Sequence, residues 1–472
     1  MKNFIRGIIA LGAFILTFAI CCRILTLKSE DGIKQMQSFY LQKENTVDVI
    51  LLGSSHIYCD VNTGILWDEY GISAFDLGGA EQPYWNSYYF LKEALKTQKP
   101  KVIVMDVTIP GIRSVDYQPE FWTVTNLYGM KWNSNRIQAT KASAMEEKVD
   151  SLLNPMNIMH TRYDELTKDD FADENRSVNY KGFDFRETTD PYETKDMTSV
   201  TETLPMREKE EKYYRMIMDY AKEQSVPLLL ISVPFPVYNY EDAQKIYNYE
   251  FQIAKEENVP YIDFNKDGYY EKIGLDFETD LADEFHLNVP GHEKFTKYLG
   301  EYLQKTYDLQ DHRGDAKYVS WEKDAAVHRQ ENISYYYLPN ADTPGKYLLQ
   351  LLNDNYIVFL SLGEDADFSA FFEENKNVLG RLGIGSEQGV AGNVLIACGD
   401  SLLYSSAEPE QRAFIDRGDV KLLMNRTTDA DGDHKTKLHV NETEYTLNTD
   451  GVKILVYDKQ LKRVVSAREF DL

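Results

Sequence analysis

A serine, a histidine and an aspartate in two distant stretches of the chain could together activate a hydroxyl group. Ser55 ends the sequence Gly53-Ser54-Ser55, and Asp283 lies three residues before His286. A serine hydroxyl becomes a nucleophile when a base removes its proton, and the base needs a third group that fixes its tautomer. We predict that Ser55 is the nucleophile, His286 the base and Asp283 the orienting group. Taken singly, a capping serine and a helix-capping Asp/His pair are the alternatives.

The elements around these residues predict where they lie. Val49 to Leu52 form a short apolar run, typical of a strand buried on both faces, and Gly53 permits a tight turn after it. Open α/β sheets place their sites at the carboxyl ends of such strands. Downstream, Asn288 and Pro290 predict the start of a helix whose apolar residues continue at helical spacing to Leu303. Both stretches therefore precede helices.

Strand and helix patterns alternate over most of the first two thirds of the chain. This alternation predicts right-handed βαβ units and a parallel sheet covered by helices on both faces. We predict an α/β domain over residues 45–306, with five strands in a flavodoxin-like order. The predicted strands lie at 49–52, 72–77, 101–107, 226–233 and 259–264.

These motifs resemble the SGNH/GDSL hydrolase superfamily, in which a Gly-x-Ser follows the first strand and an Asp-x-x-His precedes the last helix. Gly53-Ser54-Ser55 and Asp283 to His286 match that pattern. The ending His286-Leu287-Asn288 with Gly291 looks like the branch that handles O-acetyl groups on bacterial envelope polysaccharides. The resemblance implies the three-layer SGNH fold and acyl chemistry through a Ser-His-Asp triad.

The same resemblance implies two further sequence blocks that supply oxyanion donors. Phe75 to Pro83 occupies the second block, and we expect the backbone N–H groups of Gly78 or Gly79, together with that of Ser55, to hold the oxyanion. The third block of the superfamily ends its strand in Gly-x-Asn-Asp, whereas this chain reads Met105-Asp106-Val107 and has no asparagine there. The loss of one donor typically lowers the rate by about 10²–10³. The site is therefore either completed by another group, or slow or inactive.

A polar insertion interrupts the sheet pattern from residue 110 to residue 205. It is too long for a simple loop, and we predict a cap beside the site. Within it, His160 and Arg162 could contact a sugar or a carboxylate. A structural role at the surface is the alternative for both residues.

The amino-terminal segment predicts a membrane anchor. Lys2 and Arg6 precede apolar residues that, extended to Leu27, reach about 20, the length that spans a bilayer. The preceding positive charges predict a cytoplasmic amino end, with the bulk of the chain outside a bacterial cell. An uncleaved signal anchor over residues 1–28 is favoured over a removed signal peptide, and residues 29–44 are predicted to form a polar stalk.

Residues 307–331 are charged and lack periodicity, which predicts a linker. Beyond it, over 332–472, short strands and a helix predict a smaller α+β domain. Tyr356 to Ala366 and Val378 to Gly383, followed by Gly451 to Asp458, resemble the interleukin-like epithelial–mesenchymal transition (EMT) inducer domain with its halves in swapped order. The resemblance implies a carbohydrate-binding or docking module.

Composition excludes several function classes. The net charge of −25 disfavours nucleic acid and anionic lipid surfaces as partners. The eight histidines show no metal-ligand spacing, so neither a metal nor another cofactor is predicted. Cys59 and Cys398 fall in different predicted domains, and no disulfide framework is predicted.

The combined prediction is an extracytoplasmic serine esterase or O-acetyltransferase that acts on a cell-envelope polysaccharide or exopolysaccharide. A transferase would imply a membrane O-acyltransferase partner that exports the acyl group. The alternative is a non-catalytic glycan-binding or scaffold protein, in which Ser55 and His286 are remnants.

Overall fold

The computed structural model describes residues 2–27, 29, 31–154, 156, 162–171, 179–184, 186–240, 242–364, 367–418, 420–430 and 434–471. The chain divides into two compact units, Met1–Ala326 and Val327–Leu472.

The first unit is built on a five-stranded parallel sheet with the order β2-β1-β3-β4-β5. Its strands are β1 Val49–Gly53, β2 Ala74–Gly78, β3 Val102–Asp106, β4 Leu228–Ser232 and β5 Tyr261–Asp263. Every pairing between neighbouring strands is parallel. The flavodoxin-like order predicted from the sequence is confirmed.

Helices cover both faces of this sheet. In chain order the helices of the unit are the exposed amino-terminal helix α1 Lys2–Leu25, followed by α2 Ile33–Phe39, α3 Ser55–Asp60, α4 Thr63–Tyr70, α5 Tyr84–Ala94, α6 Ile109–Ile112, α7 Glu120–Leu127, α8 Ser134–Ser143, α9 Glu146–Leu153, α10 Lys168–Phe171, α11 Asn179–Gly182, α12 Glu208–Glu223, α13 Ala243–Glu256, α14 Tyr269–Ile273, α15 Val289–Thr306 and α16 Val319–Glu331.

Side chains of β1 point alternately to the two faces of the sheet and join two separate buried cores. Ile50 and Leu52 join one buried cluster, with side chains of α5, α12 and α13. Val49 and Leu51 join the other, with side chains of α3 and α15. Successive side chains of a strand point to opposite faces, so a continuous apolar strand has to be covered on both. The predicted three-layer α/β architecture is therefore confirmed.

Two segments differ from their predicted roles. The predicted stalk, residues 29–44, contains α2, whose Met36 and Phe39 are buried in the core of the first unit. The predicted linker, residues 307–331, contains Trp321 and Ala325 of α16 in that same core. Most residues of these helices are polar, so their few buried apolar residues do not form a recognisable pattern in the sequence. The first unit consequently extends on both sides of 45–306.

The second unit contains two antiparallel sheets with the orders β14-β13-β6-β7-β8 and β12-β11-β10-β9. A shared apolar cluster holds the sheets face to face, and helices pack on the other side of the five-stranded sheet. This agrees with the predicted α+β class. The elements are α17 Pro344–Gln350, β6 Tyr356–Leu362, α18 Ser369–Glu374, α19 Lys376–Arg381, β7 Val394–Cys398, β8 Ser401–Ser406, β9 Gln411–Asp416, β10 Lys421–Thr428, β11 His434–Val440, β12 Thr443–Thr446, β13 Val452–Asp458 and β14 Arg463–Phe470, with a π-helix at Asn332–Tyr337.

Among the described residues, α1 is the one helix long and apolar enough to cross a membrane, with a candidate span of Phe4–Leu25. A membrane anchor and a signal sequence share this character. The helix therefore agrees with the predicted membrane anchor, and a signal sequence would have the same length and composition.

Gly53, which ends β1, has a conformation and surroundings that exclude a side chain. Its φ is +154°, and an added Cβ would lie 2.8 Å from the Cβ of Asp106. Backbone strain of this kind and overpacking each cost about 1–3 kcal/mol. The turn that presents Ser55 therefore depends on glycine.

We expect Gly53→Ala to lower the free energy of unfolding by about 3 kcal/mol, because strain and collision add. Gly268→Ala is the matched control, since Gly268 has a φ of +69° but no atom within 4 Å of an added Cβ. It should cost about 1 kcal/mol. Thermal unfolding of the full chain in detergent measures both, and equal losses would contradict the role assigned to the Asp106 contact.

Candidate active site

The structure brings Ser55, His286 and Asp283 together. His286 Nε2 lies 2.8 Å from Ser55 Oγ, and His286 Nδ1 lies 2.9 and 3.0 Å from the two carboxylate oxygens of Asp283. With Nδ1–H donating to Asp283, Nε2 is the acceptor that faces the Ser55 hydroxyl. This is the geometry in which an imidazole can remove the proton of a serine.

The turn between β1 and α3 positions Ser55 through its neighbour Ser54. Ser54 is the N-cap of α3: its hydroxyl accepts from the His56 N–H at 3.3 Å and donates to Asp106 Oδ2 at 2.9 Å. Burial raises the pKa of Asp106 to about 6, although bonds from Thr108 and Ser54 oppose the shift. Ser54 therefore faces inward, and Ser55, the next residue, lines the pocket.

A tight turn presents His286. The turn is closed by a bridge between Leu281 and Leu287 and by the Ala282 N–H, which donates to the His286 carbonyl at 2.8 Å. Asp283 Oδ1 also accepts from the backbone N–H groups of Phe285 and His286. Burial alone would raise the pKa of Asp283, but the bonds from His286 and these N–H groups lower it to about 2. Asp283 therefore stays ionised beside the ring that it orients.

A buried carboxylate joins the two distant stretches. Asp60, the last residue of α3, accepts from the Leu287 N–H at 2.8 Å. Ser55 begins that same short helix, and Leu287 follows His286 directly. Burial raises the pKa of Asp60 well above its ordinary value, while the Leu287 bond opposes the shift. Sequence patterning missed Asp60, because no motif marks it.

His56, adjacent to Ser55, does not take the place of His286. Its side chain is buried, its ring packs against Phe235, and its Nδ1 lies 3.7 Å from Asp60 Oδ2. Burial, followed by the proximity of His286, holds the pKa of His56 well below its ordinary value. His56 is therefore a neutral ring that supports the wall of the site.

Ser55 and His286 open into a pocket of about 230 Å³. Its other described lining residues are Asp31, His56, Tyr58, Ala80, Glu81, Ile109, Ile112, Arg113, Trp122, Arg186 and Phe285. Apolar side chains form much of the wall, and its charged residues are two arginines and two carboxylates, with Arg113 paired to Glu81. The insertion at 110–205 contributes Ile112, Arg113, Trp122 and Arg186, none of which carries a sequence signal for this role.

The second block contributes residues to the pocket wall one or two positions beyond Gly78 and Gly79. The Gly79 N–H donates to the Gly53 carbonyl at 3.3 Å, and an added Cβ on Gly78 would lie 2.9 Å from that same oxygen. Gly78 therefore packs closely against β1 and α3, and Gly79 packs against Asn126 of α7. The pocket wall is formed instead by Ala80 and Glu81, one or two residues further along.

The Ala80 N–H has a partner from the amino-terminal segment. It donates to the Asp31 carbonyl at 2.7 Å, and the Tyr58 hydroxyl donates to Asp31 Oδ1 at 3.1 Å. The Asp31 carbonyl therefore already binds the Ala80 N–H, a backbone donor of the pocket that Ser55 also lines. At the third block, Asp106 binds the Ser54 hydroxyl and does not line the pocket. The first cation after β3 that lines the pocket is Arg113, which pairs with Glu81.

The predicted substrate contacts are not supported. Arg162 donates to the Thr26 carbonyl at 2.6 Å and pairs with Asp170 at 3.1 Å, away from the lining of the pocket. In this structure Arg162 therefore has the contacts of the structural role that was named as its alternative. His160 lies outside the described residues.

Comparisons with known proteins find remote similarity to solved structures. No family model and no curated protein matches the chain. Solved structures that resemble it include a lipolytic protein of the G-D-S-L family from Desulfitobacterium hafniense DCB-2, with 12% identity over 54% of this chain and 99% of that chain and a TM-score of 0.28. An acylhydrolase from Bacteroides fragilis NCTC 9343 has 11% identity over 57% and 94% of the two chains and a TM-score of 0.27.

A third similar structure is a mutant of an acetyl-xylooligosaccharide esterase from a Geobacillus species. It has 12% identity over 56% of this chain and 96% of that chain, with a TM-score of 0.29. These similarities are remote. The functional assignment therefore depends on the side chains of this chain.

The contact between Asp60 and Leu287 can be tested by a pair of substitutions. We expect Asp60→Ala to lower the free energy of unfolding by about 1–3 kcal/mol, because it leaves the buried Leu287 N–H without an acceptor. Asp60→Asn keeps an oxygen acceptor and removes a buried carboxylate, so its stability at pH 7 should equal or exceed that of the parent. Thermal unfolding measures both, and equal stability of the two variants would contradict the proposed contact.

Proposed function

We propose that this protein is a serine esterase or O-acetyltransferase of the SGNH/GDSL type that acts on acyl groups of a cell-surface polysaccharide. The observation that supports the proposal most is the distance of 2.8 Å between Ser55 Oγ and His286 Nε2, with Asp283 on the opposite nitrogen of the ring. Side chains from two distant stretches converge at the carboxyl end of β1, beside an open pocket. Such convergence has no evident structural purpose.

In the first half of the reaction, Ser55 Oγ attacks the acyl carbon while His286 Nε2 takes its proton. The C–O bond to the leaving alcohol then breaks, and His286 returns the proton to that alcohol, which leaves an acyl ester on Ser55. In the second half, a water or a sugar hydroxyl attacks the ester, His286 takes its proton, and the proton returns to Ser55. Asp283 stabilises the imidazolium in both halves.

The pocket favours a short acyl group. A volume of about 230 Å³ lies below the range of about 300–1,000 Å³ that is usual for drug-sized ligands. Ile109, Ile112 and Trp122 offer an apolar surface to a methyl or short alkyl chain, while Arg113 and Arg186 can bind carbonyl and sugar oxygens. An acetyl ester of a hydroxyl-rich sugar fits this chemistry.

The oxyanion would be held by the backbone N–H of Ser55 and by a donor of the second block. In this structure the Ala80 N–H is bonded to the Asp31 carbonyl. A displacement of Asp31 would release that donor, and the guanidinium of Arg113 adds positive charge nearby. These groups would replace the asparagine that the third block lacks.

The acyl group on Ser55 can pass to either of two acceptors at this site. Water as the acceptor gives a deacetylase, and a sugar hydroxyl gives a transferase. A transferase needs a supply of acyl groups outside the cell, which a membrane O-acyltransferase partner would export. The proposed location is the outer face of a bacterial cell membrane, with α1 as the anchor and the amino end in the cytoplasm.

A non-catalytic glycan-binding or scaffold function is the second candidate. Two observations favour it: the stretch Met105-Asp106-Val107 lacks the asparagine of the third block, and the Asp31 carbonyl accepts from the Ala80 N–H. In this case the second unit, whose resemblance to the EMT inducer domain implies carbohydrate binding, would carry the function. Activity of Ser55 separates the two candidates.

We expect Ser55→Ala in the full chain to reduce hydrolysis of p-nitrophenyl acetate by at least about 10³-fold, because the nucleophile is lost. Asp283→Asn should cause a loss of about 10⁴-fold, since the imidazole would then favour the wrong tautomer. Steady-state rates of the detergent-solubilised protein measure both effects.

Ser54→Ala is the comparison variant, because it removes the hydroxyl that helps to present Ser55 and leaves the Ser55, His286 and Asp283 side chains unchanged. It should lose about 1 kcal/mol of stability with the helix cap while it keeps hydrolysis within about tenfold of the parent. Equal rates for the parent and Ser55→Ala would remove the enzyme function and leave the glycan-binding candidate.

A further inference from the structure

The end of the candidate membrane span lies close in sequence to the pocket. The span ends at Leu25, and Asp31, only six residues later, already lines the pocket beside Ser55. A chain segment reaches at most about 3.3–3.6 Å per residue, so these six residues bridge no more than about 20 Å. An anchored chain therefore holds its pocket near the bilayer surface.

Contacts fix this junction against the insertion. Arg162 donates to the Leu25 carbonyl at 3.4 Å and to the Thr26 carbonyl at 2.6 Å. Leu27 packs against the apolar cluster of Val124, Ala144, Val149 and Leu152, and α10 contacts α1. The insertion therefore contacts the chain at the point where α1 ends.

Large apolar side chains are exposed around the same junction. Tyr163, which follows Arg162, is 72% exposed, and Phe171, at the end of α10, is 64% exposed. Phe121, on the helix that carries Val124, is 61% exposed. Met145, the N-cap of α9, and Met156, two residues beyond its C-cap Asn154, are exposed as well. We call these five residues the junction face.

Exposed apolar clusters usually mark an interaction site, and aromatic residues beside a membrane span concentrate at the bilayer interface. We propose that the junction face rests on the lipid headgroup region and keeps the Ser55 pocket within reach of acyl esters carried by the membrane. This inference rests on the proposed function for its substrate, but the lipid contact stands on the junction alone. Continuity of the face with α1 identifies the bilayer as its occupant.

The contact is tested in the full chain, reconstituted in phosphatidylcholine bilayers. Cys21, Cys22 and Cys398 are replaced by alanine, while Cys59 is fully buried and is kept. Single cysteines at Phe121, Tyr163 and Phe171 carry nitroxide labels. Phe251→Cys is the control, since Phe251 is exposed at the far edge of the sheet against Tyr261 of β5.

Lipid-soluble oxygen should speed the electron-spin relaxation of nitroxide labels on the junction face, and a water-soluble nickel chelate should have little access to them. Their ratio of oxygen to nickel accessibility should exceed that of the Phe251 label several-fold. A ratio equal to that of the control would overturn the proposal. Shielding from both reagents would overturn it as well, because it would indicate a protein partner in place of lipid.

A second measurement concerns the substrate. The double variant Tyr163→Ser/Phe171→Ser should hydrolyse p-nitrophenyl acetate like the parent but lose several-fold in rate on an acetylated alkyl glucoside held in the same bilayer. Equal rates of variant and parent on the lipid-held ester would overturn the link to membrane-borne esters. If the parent cleaves neither ester, the proposed function fails, while the label accessibilities still decide the lipid contact.

Discussion

The site depends on a hydrogen bond that joins two parts of the chain far apart in sequence. Asp60, at the end of the helix that Ser55 begins, accepts from the N–H of Leu287, the residue after His286. This bond and the contact of 2.8 Å between His286 Nε2 and Ser55 Oγ together hold the turn of His286 against α3. The buried carboxylate carries a cost in solvation, seen in its raised pKa. A fully buried carboxylate that accepts a backbone bond from a distant stretch is consistent with a positioning role.

The parallel sheet makes that bond possible. The carboxyl ends of its strands meet at one edge, and the turn after β1 and the turn before α15 lie there side by side. Gly53 lets the chain leave β1 without colliding with Asp106, and Ser54 then binds Asp106, so that Ser55 faces the opposite way. Each of these steps is a steric or hydrogen-bonding requirement that only a few residue types satisfy. The insertion adds the walls and the cations that give the pocket its chemistry.

The sequence predicted the parts of this arrangement that follow from periodicity and from short motifs. Continuous apolar runs identified the strands and their parallel order, and Asn288 with Pro290 identified the start of α15, where Asn288 accepts from the Gly291 N–H. It could not predict contacts set by side chains without a pattern. The bond of Asp31 to Ala80, the shift of the pocket wall from Gly79 to Glu81, and the use of Arg162 at the end of α1 depend on tertiary packing. The burial of α2 and α16 was not predicted either, because their apolar residues are too few to show helical periodicity.

The central claim is that His286 makes the Ser55 hydroxyl nucleophilic, and covalent trapping tests it most directly. A fluorophosphonate forms a stable phosphonyl ester with an activated serine, and peptide mass spectrometry of the labelled full chain locates it. The account predicts one adduct, on Ser55, which is lost in His286→Gln and kept in His56→Gln, because the neutral His56 ring faces Asp60 and Phe235. An adduct that forms equally in the absence of His286, or no adduct on Ser55 in the intact folded protein, would contradict it.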